Sequence, residues 1–391
     1  MNIAIFTDNF YPQINGVVTA VVNLAKGLAD RGHKIYFVAP KYKGEKEFSY
    51  PNIQVRYVAS KPAGFIYKGL KIVSPISRRT KKFIKDNNID VVYFVTPWTI
   101  AAKGIIIAKQ LKLPIVGTYH TFVCEKEYLK HIKLNYSFLI KAAWKYTNLY
   151  YNTCQIVTCP SEIVKERLLK NKCKRPIQVI SNGIDTIKSK PSEILKIKNQ
   201  INSKGKTLLF VGRLSYEKNL LYLLDCFKLI HKKKPDTKLV LIGDGPQRIQ
   251  IEKKIKRLKL SNSVLLLGAI PYKDLMTKGY YGACDIFVIT SKTETFGLSV
   301  LEAQANGLVC VGVAKNGIIN LIKDNYNGFL INSKNKKAFS DAVIKLIDNN
   351  KLYSKFKKNN KKMLEKHKME NVISEYEKTF KEAIRLYKKS S

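Results

Sequence analysis

The sequence predicts an α/β protein of two consecutive doubly wound domains with parallel sheets, and three observations carry that prediction. Short β-branched runs alternate with longer amphipathic stretches from end to end of the 391-residue chain. The alternation restarts after a hinge-like segment, Ser181-Asn182-Gly183-Ile184-Asp185, which runs into a Lys/Ser/Pro/Asn-rich stretch up to Gly205. The length suits two or three domains, each with its own core.

In the first series Ile3–Phe6, Ile35–Val38, Val91–Val95 and Ile115–Gly117 read as buried parallel strands. Between the first two, Val17–Asp30 carries apolar residues at helical spacing, and Gly32 stops it. In the second series Thr207–Val211, Leu239–Ile242, Val264–Leu267, Ile286–Ile289 and Val309–Val313 are separated by helical segments. The final stretch, Val372–Lys389, is amphipathic and is expected to pack back on the first domain. The expected domains are residues 1–182 and 183–371, with a C-terminal helix at 372–391.

The chain has 70 Lys and Arg against 29 Asp and Glu, a net charge of +41. An AT-rich genome would supply its 60 lysines without selection on function, but would not explain the shortage of acids. The excess is spread along the chain, with 29 basic and 10 acidic side chains in residues 1–180. A field of this sign attracts polyanions, either nucleic acid or an anionic membrane surface. A hydrophobic content of 45% excludes a disordered chain. Apolar runs such as Ile105-Ile106-Ile107-Ala108 fall far short of the roughly 20 residues of a membrane span. The run at Met1–Phe6 is too short for a signal peptide and Asp8 breaks it, so the protein is expected in the cytoplasm. Cys124, Cys154, Cys159, Cys173, Cys226, Cys284 and Cys310 form no C-x-x-C pair and read as reduced core residues.

In open α/β sheets ligands bind beyond the carboxyl ends of the strands, so the loops there hold the chemistry. The first, Thr7 to Val18, places Gly16 immediately before a helix, where it is either a turn or an anion site. It is not G-x-G-x-x-G, so a dinucleotide site is not indicated. Gly212-Arg213-Leu214-Ser215-Tyr216-Glu217-Lys218-Asn219 brings two cations into one loop, a fork and a point charge that suit a diphosphate. Gly243-Asp244-Gly245-Pro246 is a tight loop that can sit beside a nucleotide. Taken alone, either loop reads equally as a solvated turn.

The most specific element is Glu294-Thr295-Phe296-Gly297-Leu298-Ser299-Val300-Leu301-Glu302, with Gly297 where a helix begins. Its two carboxylates can accept from sugar hydroxyls, and the helix N-terminus between them can hold phosphate. A core helix with a capping Glu is the other reading of the same residues.

Together these motifs resemble the retaining glycosyltransferases of family four, and the resemblance covers nearly the whole chain. It implies the GT-B fold, two facing Rossmann-like domains with a cleft between them. It further implies that Arg213 and Lys218 bind the donor diphosphate, with Gly243, Phe296, Gly297 and Leu298 lining the donor site. Glu294 would hold the transferred sugar's hydroxyls and Glu302 the ribose. Gly16 would approach the phosphate or sugar from the other domain. His120, in Gly117-Thr118-Tyr119-His120-Thr121, matches the family's active-site histidine; as a lone residue it reads as a polar core side chain. The chain departs from the family at Gly307-Leu308-Val309-Cys310, where Gly-Leu-Pro-Val is frequent, and at Asn316-Gly317-Ile318-Ile319-Asn320, where Gly-Gly-x-Pro-Glu is. Neither departure touches Arg213, Lys218, Glu294 or Glu302.

No D-x-D occurs, so no divalent metal is expected to bridge the diphosphate, and no other cofactor is expected. Two cations and a helix N-terminus can stabilise the departing charge instead. No carboxylate pair stands out as in glycoside hydrolases. The family implies retention by same-face attack, with the leaving phosphate helping to take the acceptor's proton, and a UDP-sugar as donor.

The acceptor belongs to the first domain in this fold. There Ser74-Pro75 reads as an N-cap and first helical position. Ile76, Thr80, Phe83 and Ile84 then fall on one side, with Arg78, Arg79, Lys81, Lys82 and Lys85 around the rest. Leu129, Ile132, Tyr136, Leu139, Ala143 and Trp144 make a second stripe, with Lys126, Lys130, Lys133, Lys141 and Lys145 nearby. Either stripe alone can face a core. Two of them in so basic a chain point to docking on an anionic phospholipid surface, with Trp144 in the interface.

The opening loop, the Thr118–Thr121 segment and these helices look most like bacterial diacylglycerol α-glycosyltransferases, which are monotopic at the cytoplasmic face. The expected partners are therefore UDP-glucose or UDP-galactose, diacylglycerol and anionic lipid. Three rival readings use the same residues: a transferase extending another glycolipid or a surface polysaccharide, a nucleic-acid-binding protein, and a sugar-nucleotide binder without turnover. The second has no zinc, helix-turn-helix or RNP-like motif in its favour, so no nucleic acid is expected. The third is opposed by the intact motif residues.

Overall fold

The computed structural model describes residues 1–390 apart from 14, 43–47, 64–70, 121–136 and 186–188. The chain divides into two compact units, Met1–Gly183 with His367–Ser391, and Ile184–Lys366. The returning C-terminal segment thus starts five residues before the expected position 372, because its helix already begins at Met369.

The first unit is built on a parallel sheet of β1 (Asn2–Phe6), β2 (Lys34–Pro40), β3 (Ile53–Val58), β6 (Val91–Phe94), β7 (Ile115–Thr118), β8 (Ile156–Cys159) and β9 (Ile177–Val179). Their order is β3-β2-β1-β6-β7-β8-β9, and a two-stranded ribbon, β4 (Lys61–Pro62) with β5 (Lys71–Ile72), stands apart. Strand residues alternate between two cores, Ile3 and Ile5 on one face and Ala4 and Phe6 on the other. The order reverses direction between β1 and β6, which makes the loops after those strands the ligand-binding position of this sheet.

The helix Gly16–Asp30 starts one residue earlier than its pattern suggests. Asn15 caps it, accepting from Val17 N and Val18 N at 3.0 Å, so Gly16 lies inside the first turn and is exposed. The C-terminal helix Met369–Ser390 buries Val372, Ile373, Tyr376, Phe380 and Ala383 in the core that this helix shares. A polar clamp fixes it. The Met1 ammonium donates to His33 Nδ1 at 3.0 Å, His33 Nε2 lies 2.7 Å from Glu377 Oε1, and Arg31 meets Glu377 at 2.8 Å. Burial works against the Glu377 charge, but His33 and Arg31 outweigh it and hold the carboxyl below its ordinary range. A carboxyl lowered by folding stabilises above its unfolded pKa, and the effect fades as pH falls. Glu377→Gln is therefore expected to cost about 1–2 kcal/mol at pH 7 and far less in acid; thermal unfolding at the two pH values checks it.

The second unit carries β10 (Thr207–Val211), β11 (Lys238–Ile242), β12 (Val264–Gly268), β13 (Ile286–Ile289), β14 (Val309–Val313) and β15 (Gly328–Ile331). They form a parallel sheet in the order β12-β11-β10-β13-β14-β15, sandwiched between two apolar cores. Its reversal lies between β10 and β13. Both stretches that carry the charged motifs follow those two strands. The six described cysteines are free and buried; Cys124 lies outside the described residues.

Candidate functional site

In the second unit, β10 runs into Gly212–Asn219 and β13 into Thr290–Gly297, side by side at the switch point. The two loops are tied by backbone and by charge. Thr290 Oγ1 donates to Lys218 O at 2.9 Å and Asn219 O at 3.2 Å, and Lys292 N donates to Glu217 O at 3.1 Å. Across them the Lys218 ammonium pairs with Glu294 Oε1, both side chains mostly buried at 22% and 15% exposed. Burial opposes the Lys218 charge and Arg213 repels it, yet Glu294 dominates and raises the ammonium above its ordinary value. Arg213 stands in the same loop, five residues before Lys218.

The neighbouring loop is packed on this one through bare backbone. Gly243 has φ +138°, and a Cβ there would fall 1.9 Å from Gly212 O. Leu214 N donates to Asp244 O at 3.0 Å and Gln247 N to Leu214 O at 2.9 Å. Gly243 thus lets the two loops touch where any side chain would part them.

Gly297, at φ +98°, caps the helix Leu298–Ala305 in the left-handed region that an L side chain rarely adopts. No side chain caps this helix and no acid stands in its first turn, so its N–H groups and dipole favour an anion. Leu298 is half-buried at that turn, whereas Phe296 is 2% exposed and belongs to the apolar core. Of the expected donor contacts, Phe296 therefore has only its backbone at the loop.

Glu302 is buried at 4% exposure, and Tyr281 donates to its Oε2 at 2.6 Å. Burial raises this carboxyl to about 7, against the lowering effect of hydrogen bonds from Tyr281 and Tyr272. These two tyrosines are site residues that sequence reasoning missed. So are Asn316, whose Nδ2 donates to Lys292 O at 2.5 Å, and Gly317, whose N donates to Glu294 O at 2.7 Å. The segment that departs from the family pattern still holds the Glu294 loop in place.

In the first unit, His120 follows β7 and is 9% exposed, beside a recess that Tyr93, Ser181, Asn182, Gly183 and Tyr376 also line. Desolvation lowers its pKa to about 4, so the imidazole is neutral at pH 7. Behind it Thr118 Oγ1 bonds Tyr93 OH at 2.7 Å and Thr158 Oγ1, and Tyr151 OH donates to Thr118 O at 2.9 Å.

The basic helix forms as Arg78–Asp86, but its N-cap is Ser77 and not Ser74. Ser77 Oγ accepts from Thr80 N at 3.2 Å, while the Ser74 hydroxyl is spent on Ile76 O, also at 3.2 Å. Arg78, Arg79, Lys82 and Lys85 are exposed, Lys81 is half-buried, and Ile76 is 75% exposed. Trp144 is not an interfacial residue. It is 6% exposed and stacks on Tyr119 with ring centroids 5.7 Å apart, and Ala143 packs on the same core; Leu129, Ile132 and Tyr136 of its stripe lie outside the described residues. Lys130 and Lys133 lie outside the described residues.

Comparison with known proteins agrees with this geometry. Residues 14–188 match the family described as Glycosyltransferase Family 4, and residues 191–363 that described as Glycosyl transferases group 1. The chain is 32% identical over 343 residues to the alpha-monoglucosyldiacylglycerol synthase of Streptococcus pneumoniae, covering 84% of this chain and 75% of that one. It is 29% identical to the alpha-monoglucosyldiacylglycerol synthase of Acholeplasma laidlawii, covering 88% and 87%. Anabaena HepE, crystallised in complex with UDP, shares the fold with a TM-score of 0.77 at 18% identity, over 98% of this chain and 100% of that one. With two Rossmann-like parallel-sheet units of the GT-B type and these matches, the chain belongs to the family 4 glycosyltransferases.

Proposed function

We propose that this glycosyltransferase moves glucose or galactose from a UDP-sugar to the free 3-hydroxyl of 1,2-diacylglycerol, with retention and without a metal, making an α-monoglycosyl-diacylglycerol. The observation that carries the donor half is the Lys218–Glu294 pair beside Arg213 and the Gly297 helix N-terminus. A sugar diphosphate offers each member a replacement partner, a phosphate oxygen for Lys218 and a sugar hydroxyl for Glu294. The acceptor half is supported by the two similar synthases, whose names state glucosyl transfer to diacylglycerol.

In this reading Arg213, Lys218 and the uncapped helix take the charge that develops on the β-phosphate as the anomeric C–O bond breaks. UDP leaves with the bonding pair. The acceptor oxygen bonds to the anomeric carbon from the same face, and its proton passes to an oxygen of the departing phosphate. Glu294 holds the sugar's hydroxyls, Glu302 takes the ribose, and Gly243, Gly297, Leu298 and the backbone of Phe296 line the donor. In the first unit the family resemblance assigns Gly16 to the sugar-phosphate and His120, a neutral imidazole, to the sugar. Exposed Arg78, Arg79, Lys82 and Lys85, with Lys81 and the protruding Ile76, support peripheral docking on the anionic inner face of the cell membrane. Among the described residues no helix is long and apolar enough to cross a membrane.

Radiolabel transfer from UDP-glucose and UDP-galactose, run separately into diacylglycerol liposomes with and without anionic phospholipid, tests the proposal. Label is expected in monoglycosyl-diacylglycerol from one of the two donors, and more of it on anionic liposomes. No label from either donor, in a protein that binds UDP, would remove the acceptor assignment and leave the glycolipid or polysaccharide extender in its place.

A further inference from the structure

The helix Ser137–Tyr151 has two faces, and the core takes one of them. Inward it gives Trp144 and Tyr151 to the core, with Ile140 and Ala143 partly buried beside them. Outward, Phe138, Lys141, Ala142, Lys145, Tyr146 and Leu149 are exposed, at the i, i+3, i+4, i+7, i+8 and i+11 spacing of a single helical face. Phe138 and Leu149, each 65% exposed, run along its centre about 16 Å apart. At about 100° per residue, Lys141 and Lys145 flank them on one side and Ala142 and Tyr146 on the other. The helix contains no acid. Its end lies against the segment 171–175, because Asn148 Nδ2 donates to Asn171 O and Arg175 Nε donates to Asn152 O at 2.8 Å. That segment exposes Lys172, Lys174 and Arg175, and Leu169 just before it is exposed as well.

An apolar stripe facing water marks a surface that something covers. The charge around it says what. Apolar side chains edged by lysine, on an acid-free helix of a chain with net charge +41, complement an anionic surface with an apolar layer beneath it. Phe138 and Leu149 reach the acyl boundary, the lysine stems lie beside them with their ammoniums among the lipid phosphates, and Tyr146 sits at headgroup level. We propose that this stripe is a docking face of the first unit for an anionic phospholipid bilayer. The proposal rests on the reading of a lipid acceptor and names where the bilayer sits. It adds insertion to the basic helix Arg78–Asp86, whose exposed side chains are all charged. The inner face gives the position its use. Trp144 stacks on Tyr119, and His120 is the next residue, so a docked bilayer lies about one helix diameter, roughly 10 Å, from the segment assigned to the reacting sugar.

The test uses the full-length protein in co-sedimentation with vesicles of phosphatidylcholine, with and without phosphatidylglycerol. Phe138→Ser with Leu149→Ser is expected to weaken binding to both vesicles by about tenfold or more. Lys141→Gln with Lys145→Gln should weaken binding to the phosphatidylglycerol vesicles about 30-fold and leave the other unchanged. Tm should move by no more than about 2 °C in either, since all four side chains are exposed. Phe138→Trp should be quenched by bromine-labelled acyl chains beyond the background of Trp98 and Trp144. Unchanged vesicle binding in both double variants, in a protein that glycosylates diacylglycerol, would overturn the docking face and leave the acceptor reading standing. Stripe-dependent vesicle binding without label in diacylglycerol would support the face and remove that reading. A parent that binds neither vesicle would overturn the face. So would a dimer that the variants dissolve while vesicle binding is unchanged, because the stripe would then join two copies of the chain.

Discussion

Replacing Lys218 with alanine is expected to lower kcat for sugar transfer by about 10²–10³-fold while the second unit still folds. The reason for the first half is that the charge on the leaving diphosphate grows along the reaction, so a cation there binds the transition state better than the substrate. Arg213→Ala should act in the same direction, because it is the other cation of the same loop. The fold survives because the loop is held by its backbone. Lys218 N donates to Ser215 O at 3.1 Å, and Thr290 holds the Lys218 and Asn219 carbonyls, none of which needs the ammonium. What Lys218→Ala does leave behind is a mostly buried Glu294 without its counter-charge. Glu294→Gln added to Lys218→Ala should therefore recover stability but not turnover, a non-additivity that a double-mutant cycle reads directly. The measurements are kcat in the liposome assay, Tm, and UDP titration. Near-normal turnover in both Arg213→Ala and Lys218→Ala would take the donor site away from this loop.

Much of this site was legible in the chain because its chemistry sits in loops that follow buried strands. Lys218 and Glu294 stand 76 positions apart and were read from separate motifs; the order of the second sheet joins them by placing β10 beside β13. The partners of Glu302 were not legible. Tyr272 and Tyr281 belong to a chain with 22 tyrosines, and nothing in their spacing marks them out. The Trp144 stripe shows a different limit. An amphipathic helix declares that it has an apolar face but not what covers it, and what covers Trp144 is Tyr119 and the core. Ser74 and Ser77 could each cap the next helix, and the choice falls to which hydroxyl meets the backbone N–H three residues on. Strand β3, interrupted by Gln54 and Arg56, escaped notice because an edge strand need not be apolar on both faces.

Glu302→Gln is expected to make the protein more stable above pH 7 and a poorer enzyme at the same time. Folding moves this carboxyl from 4.5 to about 7, chiefly because burial penalises the anion. A carboxyl raised by folding binds more protons in the native state than in the unfolded one between those values, so stability falls as pH rises through that window and is lowest above it. The full shift corresponds to about 3 kcal/mol, an upper bound on what a neutral isostere recovers at pH 8. Glutamine keeps an oxygen for the Tyr281 and Tyr272 hydroxyls, so the core around the helix Leu298–Ala305 is conserved. The cost falls on the donor. A carboxylate has lone pairs left for ribose hydroxyls after accepting from two tyrosines, and an amide oxygen has fewer and no charge. The donor KM should rise about tenfold or more with kcat much less affected, because the ribose is bound alike in the ground and transition states. Unfolding at pH 5 and pH 8 separates the two claims: the gain in stability should be present at pH 8 and small at pH 5. A variant less stable than the parent at pH 8 would mean that the carboxylate is ionised and well paired, and the case for a strained acid beside the donor would fail.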